Sequence, residues 1–276
     1  MSIPSKLLMR KLLPISLVST LVGGSLAGSS LLSSEAAWAL SDDAIVAKLQ
    51  QVPVFIILNS EGQTLTASVE SEDAEEIKFP VVYFDGETAE STLAEMLSEA
   101  QAEGDNALLD SVNDAQVEIR SLGWLYEEYY LNNDNETIPP IYVPIGEAVE
   151  AATSIDPNFT PSIDPNLSGV PLFYLTIPNG DATEEFYVEG TYNGEDVIPF
   201  FLSRDDLQSE LDEFAGSSDN PAEDFSVRVT SLGRLLNDMS SDDPNASEAH
   251  ELFRLIPSTD VLEYIQDQQG SAPAAE

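Results

Sequence analysis

The sequence predicts an α+β protein of two pseudo-symmetric lobes from an internal duplication, each a small, mainly antiparallel sheet with helices. Three observations carry this. The first is the stretch Val170–Leu211, where short apolar runs punctuated by turn signals give way to helical spacing at Leu207, Leu211 and Phe214. The second is that its landmarks occur twice. Val52-Pro53-Val54-Phe55 matches Val170-Pro171-Leu172-Phe173, and Phe79-Pro80-Val81-Val82 matches Ile198-Pro199-Phe200-Phe201. Val117–Gly123 matches Val227–Gly233, and Val143-Pro144 matches Ile256-Pro257. The third is order: four matches in the same sequence are hard to obtain by chance. Lobes of roughly 100 residues are domain-sized, too long for a solenoid repeat. The reading divides the chain into a signal peptide (1–39), a first lobe (40–155), a linker (156–169), a second lobe (170–267) and a flexible tail (268–276). Two lobes packed on each other are expected, rather than two independent beads, because the linker is short.

The elements follow in order. Ser41-Asp42-Asp43 reads as an N-cap for a helix through Leu49. Strands are expected at Val54–Leu58 and Thr64–Ser68, joined across Asn59–Gly62, and at Pro80–Phe84. Thr88 is expected to cap a helix carrying Leu93, Met96 and Leu97. Each of Pro53, Pro80, Pro171 and Pro199 comes second in an apolar run and is expected at a strand start, since proline cannot donate to a ladder. Gln116–Arg120 alternates like a strand, and Leu122, Leu125, Tyr126 and Tyr129 then share one helical face. A strand at Ile141–Ile145 and a helix at Glu147–Ala152 close the first lobe. Asp156-Pro157-Asn158 and Asp164-Pro165-Asn166 are turn signals in the linker. In the second lobe Tyr192-Asn193-Gly194 signals a turn and Ser203 starts a helix. Phe225–Thr230 and Phe253–Ile256 read as strands, and Val261, Leu262 and Ile265 mark the last helix.

Lys6, Arg10 and Lys11 precede an uncharged stretch from Leu12 to Ser34, and Ala37-Trp38-Ala39 forms an A-x-A site before Leu40. That order reads as a cleavable export signal, with a permanent anchor and a plastid transit peptide as the weaker readings. Export to the periplasm, with peripheral association at envelope or thylakoid membranes as an alternative, is the expectation. There is no cysteine, so disulfides and thiol chemistry are excluded. Removing residues 1–39 takes away three cations and Glu35, leaving seven Lys and Arg against 49 Asp and Glu, a charge of −42. A chain this acidic does not bind a nucleic-acid backbone. The acids are spread along a chain that is 42% hydrophobic, which excludes acidic disorder. Two uses of the coat stay open. One is adaptation to high salt, which screens self-repulsion; the other is recruitment of a basic partner or of divalent cations.

Catalytic constellations are missing. His250 stands alone among Glu248 and Glu251 and reads as a solvated helix residue. No G-x-S-x-G elbow, phosphate-cradling glycine loop or EF-hand spacing occurs. No catalytic residue, cofactor or metal site is assigned. A carboxylate-based periplasmic hydrolase is the alternative from another class, with a structural envelope protein or ligand carrier as a further one. The candidate binding residues are Trp124, Tyr129 and Tyr130, because the matching helix of the second lobe packs with Leu232, Leu235, Leu236 and Met239 and carries no aromatics. Exposed aromatics would grip an apolar client.

The VPVF and VPLF openings, the IPFFLSRDDLQSEL segment and the VRVTSLGRL segment resemble the cyanobacterial and plastid Tic family of the twenty-two-kilodalton subunit, over Leu40–Gln266. Tyr83-Phe84-Asp85 departs from the Phe-Phe-Ser usual at the first helix start. The resemblance implies a non-enzymatic protein of protein transport. Its cyanobacterial type would be an ATP-independent periplasmic chaperone for unfolded or partly folded polypeptides. It would act in outer-membrane biogenesis, with the POTRA domains of a barrel-insertion protein as partner.

Overall fold

A computed structural model describes residues 12–14, 39–71, 74–132, 138–179, 184–217, 225–241 and 247–271. The stretch read as a signal peptide, apart from residues 12–14 and 39, lies outside them, as does the chain end beyond 271. The protein is α+β, with two antiparallel-rich sheets flanked by helices.

In the first half, β2 (Pro53–Leu58) lies between β5 (Gln116–Ser121) and β4 (Ala74–Tyr83), antiparallel to both, and β6 (Ile141–Val143) adds parallel to β4. In the second half, β7 (Pro171–Asn179) lies between β11 (Ser226–Ser231) and β10 (Glu195–Phe201), and β12 (Phe253–Ile256) adds parallel to β10. The registers correspond. Pro53 faces Ser121 as Pro171 faces Ser231, and Phe55 faces Tyr83 as Phe173 faces Phe201. Tyr83 faces Val143 as Phe201 faces Ile256. Shorter pieces extend the sheets. They are β3 (Thr66–Ser71) on β4, β8 (Glu184–Val188) on β7, β9 (Gly190–Tyr192) on β10, and β1 (Leu12–Pro14) on β8. Asn193 and Gly194 both take positive φ, 53° and 89°, as a two-residue hairpin between β9 and β10 requires.

Tyr83 is thus the counterpart of Phe201, one residue away from the sequence match that set Pro80 against Pro199. The same step sets Asp85, not Thr88, at the helix start. Asp85 accepts from the Glu87 and Thr88 amides at 3.2 and 3.1 Å and caps α2 (Gly86–Glu103), while Ser203 accepts from Asp206 N at 3.2 Å at the start of α6 (Arg204–Ser217). Pro53 and Pro171 do open their strands, but Pro80 and Pro199 stand inside β4 and β10. Each sits where its strand changes neighbours. Pro80 is the last residue paired with β3, and Pro199 falls between pairing with β9 and with β7. A missing amide is tolerated at such a break.

Strand residues alternate between two interiors. Val54, Ile56, Val82, Phe84 and Tyr142 of the first sheet meet Leu172, Ile198, Phe200, Phe253 and Leu255 of the second in one central core. The outward residues Phe55, Ile57 and Tyr83, and separately Phe173, Leu175 and Phe201, need cover from helices. That cover is crossed. α5 (Gly146–Ile155), at the end of the first half, places Ala148 and Ala152 on the second sheet with Leu207 and Leu211 of α6. α9 (Thr259–Ser271), at the end of the second half, places Val261, Tyr264 and Ile265 on the first sheet beside Ala89 of α2. α9 continues to Ser271, into the stretch read as tail.

The Ser-Leu-Gly motif locks both halves in the same way. Ser121 and Ser231 accept from the amides of Trp124 and Arg234 at 3.1 and 3.2 Å, capping α4 (Leu122–Tyr126) and α7 (Leu232–Met239). Leu122 and Leu232 are fully buried in the central core. Gly123 lets α1 (Asp42–Leu49) approach; a Cβ there would lie 2.7 Å from the Val46 carbonyl oxygen. At Gly233 it would lie 2.1 Å from the Asn166 carbonyl oxygen, in the turn where Asn166 N donates to Asp164 at 2.7 Å. Across the halves, Lys48 donates to the carbonyls of Glu251 and Phe253 at 2.8 and 2.9 Å, and Arg254 bonds Gln51. Burial, with Arg254 nearby, holds the Lys48 pKa below the ordinary lysine value.

Gly233→Ala should lower stability by about 1–3 kcal/mol, because backbone faces the added methyl. Gly270→Ala, inside α9 with open space around it, should raise stability by about 0.5–1 kcal/mol. Denaturant unfolding of the two variants checks both signs.

Candidate functional site

The outer face of the first sheet is unevenly covered. α5 lies on the second sheet through three alanines and Ile155, whereas α9 lies on the first through Val261, Tyr264 and Ile265. Bulkier contacts leave troughs along the helix. Tyr264 fixes it: the ring lies against Gly86, where a Cβ would be 2.2 Å from the ring, meets Phe55 edge-on at 5.4 Å, and donates its hydroxyl to Glu90 at 2.7 Å.

Three depressions have α9 as a wall. One, of about 460 Å³, runs between α2, α9, β5 and α3 (Asn106–Val112), over Leu93, Leu97, Val112, Val117 and Ile119. A second, of about 580 Å³, lies between α9 and α4, lined by Pro53, Ile119, Trp124, Leu262 and Ile265. The third is the acidic cleft where α2, α5 and α9 begin. A smaller apolar pocket of about 170 Å³ opens under α2 between Ile57, Leu65, Val81 and Met96.

The three sequence candidates are not brought together. Trp124 is 42% exposed, with Arg120 over its ring at 5.5 Å. Tyr129 and Tyr130 are half-buried against the central core. Tyr130 was expected off the packed face. A π-helical turn, Glu127–Leu131, shifts the phase, so Tyr130 stacks on Tyr126 at 5.2 Å and gives its hydroxyl to the Pro165 carbonyl. His250 is also corrected. It is 3% exposed on α8 (Ser247–Leu252), its ring 5.2 Å from Phe253, because α8 packs on β10 and α7. Sequence reading misses the α9 grooves altogether; Leu262 and Ile265 serve there only to mark the last helix.

Chemically the site is apolar with acidic margins. Among the described residues no group of three His, Asp or Glu side chains is set to hold a metal ion, and no helix is long and apolar enough to cross a membrane. Burial pushes the phenols of Tyr142, Tyr187 and Tyr264 well above the ordinary tyrosine value; the Tyr130 hydroxyl adds to this at Tyr142, and Glu90 at Tyr264.

Two sheets closed on one core, with exchanged terminal helices and apolar troughs beside one of them, define an α+β protein with open apolar grooves. The chain belongs to the Tic22-like family, whose model matches residues 5–267. Among solved structures it is similar to Anabaena Tic22, described as protein transport. The TM-score is 0.65 at 20% identity, over 86% of this chain and all of that one. It is also similar to Tic22 from Plasmodium falciparum, with a TM-score of 0.56 at 15% identity, over 83% of this chain and 98% of that one. No curated protein matches.

The raised phenols make stability pH-dependent in one direction. Below about pH 10 these tyrosines are protonated in both states and contribute no slope; above it the unfolded chain ionises first, so stability falls as pH rises. Melting temperature should be level with respect to these groups up to pH 10 and drop beyond it. Part of the phenolate absorbance should appear only with unfolding.

Proposed function

We propose that this protein binds unfolded or partly folded polypeptides during protein transport, as an ATP-independent holdase that performs no chemistry on them. The observation that carries the reading is the set of grooves along α9, lined by half-exposed Leu93, Leu97, Ile119, Leu262 and Ile265 and by exposed Trp124. An apolar client segment laid there would bury surface at about 25 cal/mol per Å². Trp124 is the anchor of this surface. Tyr129 and Tyr130 support it from the core side, through α4 and the turn after it. Membership of a family with a solved member described as protein transport supports the same reading. The place of action is the periplasm, reached by the leader at 1–39, with barrel-insertion POTRA domains as the partner that receives clients. The acidic coat keeps the loaded protein soluble.

A carboxylate hydrolase would turn over substrate, whereas a holdase suppresses client aggregation only at stoichiometric ratios. Trp124→Ala should move the unfolding free energy by less than about 1 kcal/mol, as expected of a surface side chain. Suppression of client aggregation should weaken clearly. Tyr130→Ala should instead cost about 3–5 kcal/mol, as truncation of a packed aromatic does. Unchanged suppression by a folded Trp124→Ala protein would remove this surface from the function. Catalytic turnover at trace protein would replace the reading.

A further inference from the structure

The groove between α2 and α9 does not end at the apolar side chains. It shares Glu90, Tyr264 and Gln268 with the cleft at the starts of α2, α5 and α9, so the two form one trough. Among the described residues the cleft is lined by seven carboxylates and no lysine or arginine. Three of them, Glu87, Glu147 and Asp260, occupy first turns of helices, where the helix dipole favours an anion. That accounts for how they are tolerated. Glu90, Glu263 and Asp267 lie beyond the first turns and lack that compensation. The trough therefore has an apolar floor along β5 and α3 and a strongly negative mouth at one end.

Resting on the reading of the grooves as a client surface, we infer that this trough selects a segment with an apolar run followed on one side by lysines or arginines. The polarity of the trough fixes the direction in which it lies. Apolar side chains sit on Leu93, Leu97, Val117 and Ile119, and the basic flank reaches the cleft. Tyr264 stands at the junction, its ring apolar and its hydroxyl held by Glu90. The phenol stays protonated, because burial and the Glu90 carboxylate raise its pKa. A segment flanked by acidic residues would set like charges against the mouth, so the same acids both attract and exclude.

Three labelled peptides with one apolar run, flanked on one side by lysines, glutamines or glutamates, test this by fluorescence anisotropy on the full chain. The lysine peptide should bind about tenfold tighter than the glutamine peptide at low salt, and the gap should close as salt rises. Because the whole protein is acidic, two variants of equal charge separate the cleft from the general field. E87Q/E147Q/E263Q, which neutralises three of the seven carboxylates, should cut the lysine preference to about threefold or less, by weakening the lysine peptide far more than the glutamine peptide. E61Q/E103Q/E213Q, at exposed positions elsewhere, should keep it. Both variants lower the net negative charge by the same amount, and melts verify that they fold. Equal loss of preference in both variants would assign the effect to net charge and overturn the inference. So would equal affinity of all three peptides, which leaves the client reading standing. Absence of binding by every peptide would overturn both.

Discussion

Each sheet in this protein has two apolar faces and the helices of its own half to cover only part of them. β2 runs Val54, Phe55, Ile56, Ile57, all buried, and β7 does the same with Leu172, Phe173 and Leu175. One face of each sheet is satisfied by the other sheet. The second face is covered partly by a local helix, α2 or α6, and partly by a helix from the far half. Ile145, just before α5, packs against all three buried clusters and marks where the chain crosses over. Neither half can bury its sheet alone, since burying these side chains is the main favourable contribution to folding. Lys48 and Arg254, two of only ten cations, are spent on the same junction.

The candidate site is a consequence of that exchange and of one asymmetry within it. The helix on the second sheet uses Ala148, Ala152 and Ile155 over β7 and β11. The helix on the first sheet uses Val261, Tyr264 and Ile265 over Ala89. Swapping large for small across a contact conserves volume at its centre but leaves the flanks open, which is where the troughs run. Their walls come from both halves, so their shape depends on the whole molecule being folded.

Much of this was legible in the sequence. Strand and helix types, the Ser-Leu-Gly motif, the Asx turns at Asp156 and Asp164 and the Asn-Gly hairpin are local patterns, and local patterns are where sequence reading is strong. The errors are instructive in the same terms. The one-residue slip at Pro80 and Pro199 arose because proline is conspicuous, whereas register is set by which side chains reach the core. Tyr130 was misplaced because a π-helical turn breaks the periodicity that the reading assumed. His250 was taken as solvated from its acidic neighbours in sequence, while its burial comes from Phe253 and from helix packing that no local window contains. The grooves were invisible because α9's destination, the opposite sheet, is a tertiary fact. Trp124 stood out because an aromatic without a counterpart in the matching helix is a sequence-level contrast, and its side chain is exposed.

The central claim is that the crossed helices and the common core make two halves into one cooperative unit. Differential scanning calorimetry of the chain from Leu40 tests it directly. A single transition, with the calorimetric enthalpy equal to the van't Hoff enthalpy, is the expected result. Two resolvable transitions, each with the enthalpy of half the chain, would contradict it, because halves that melt separately do not depend on each other's helices.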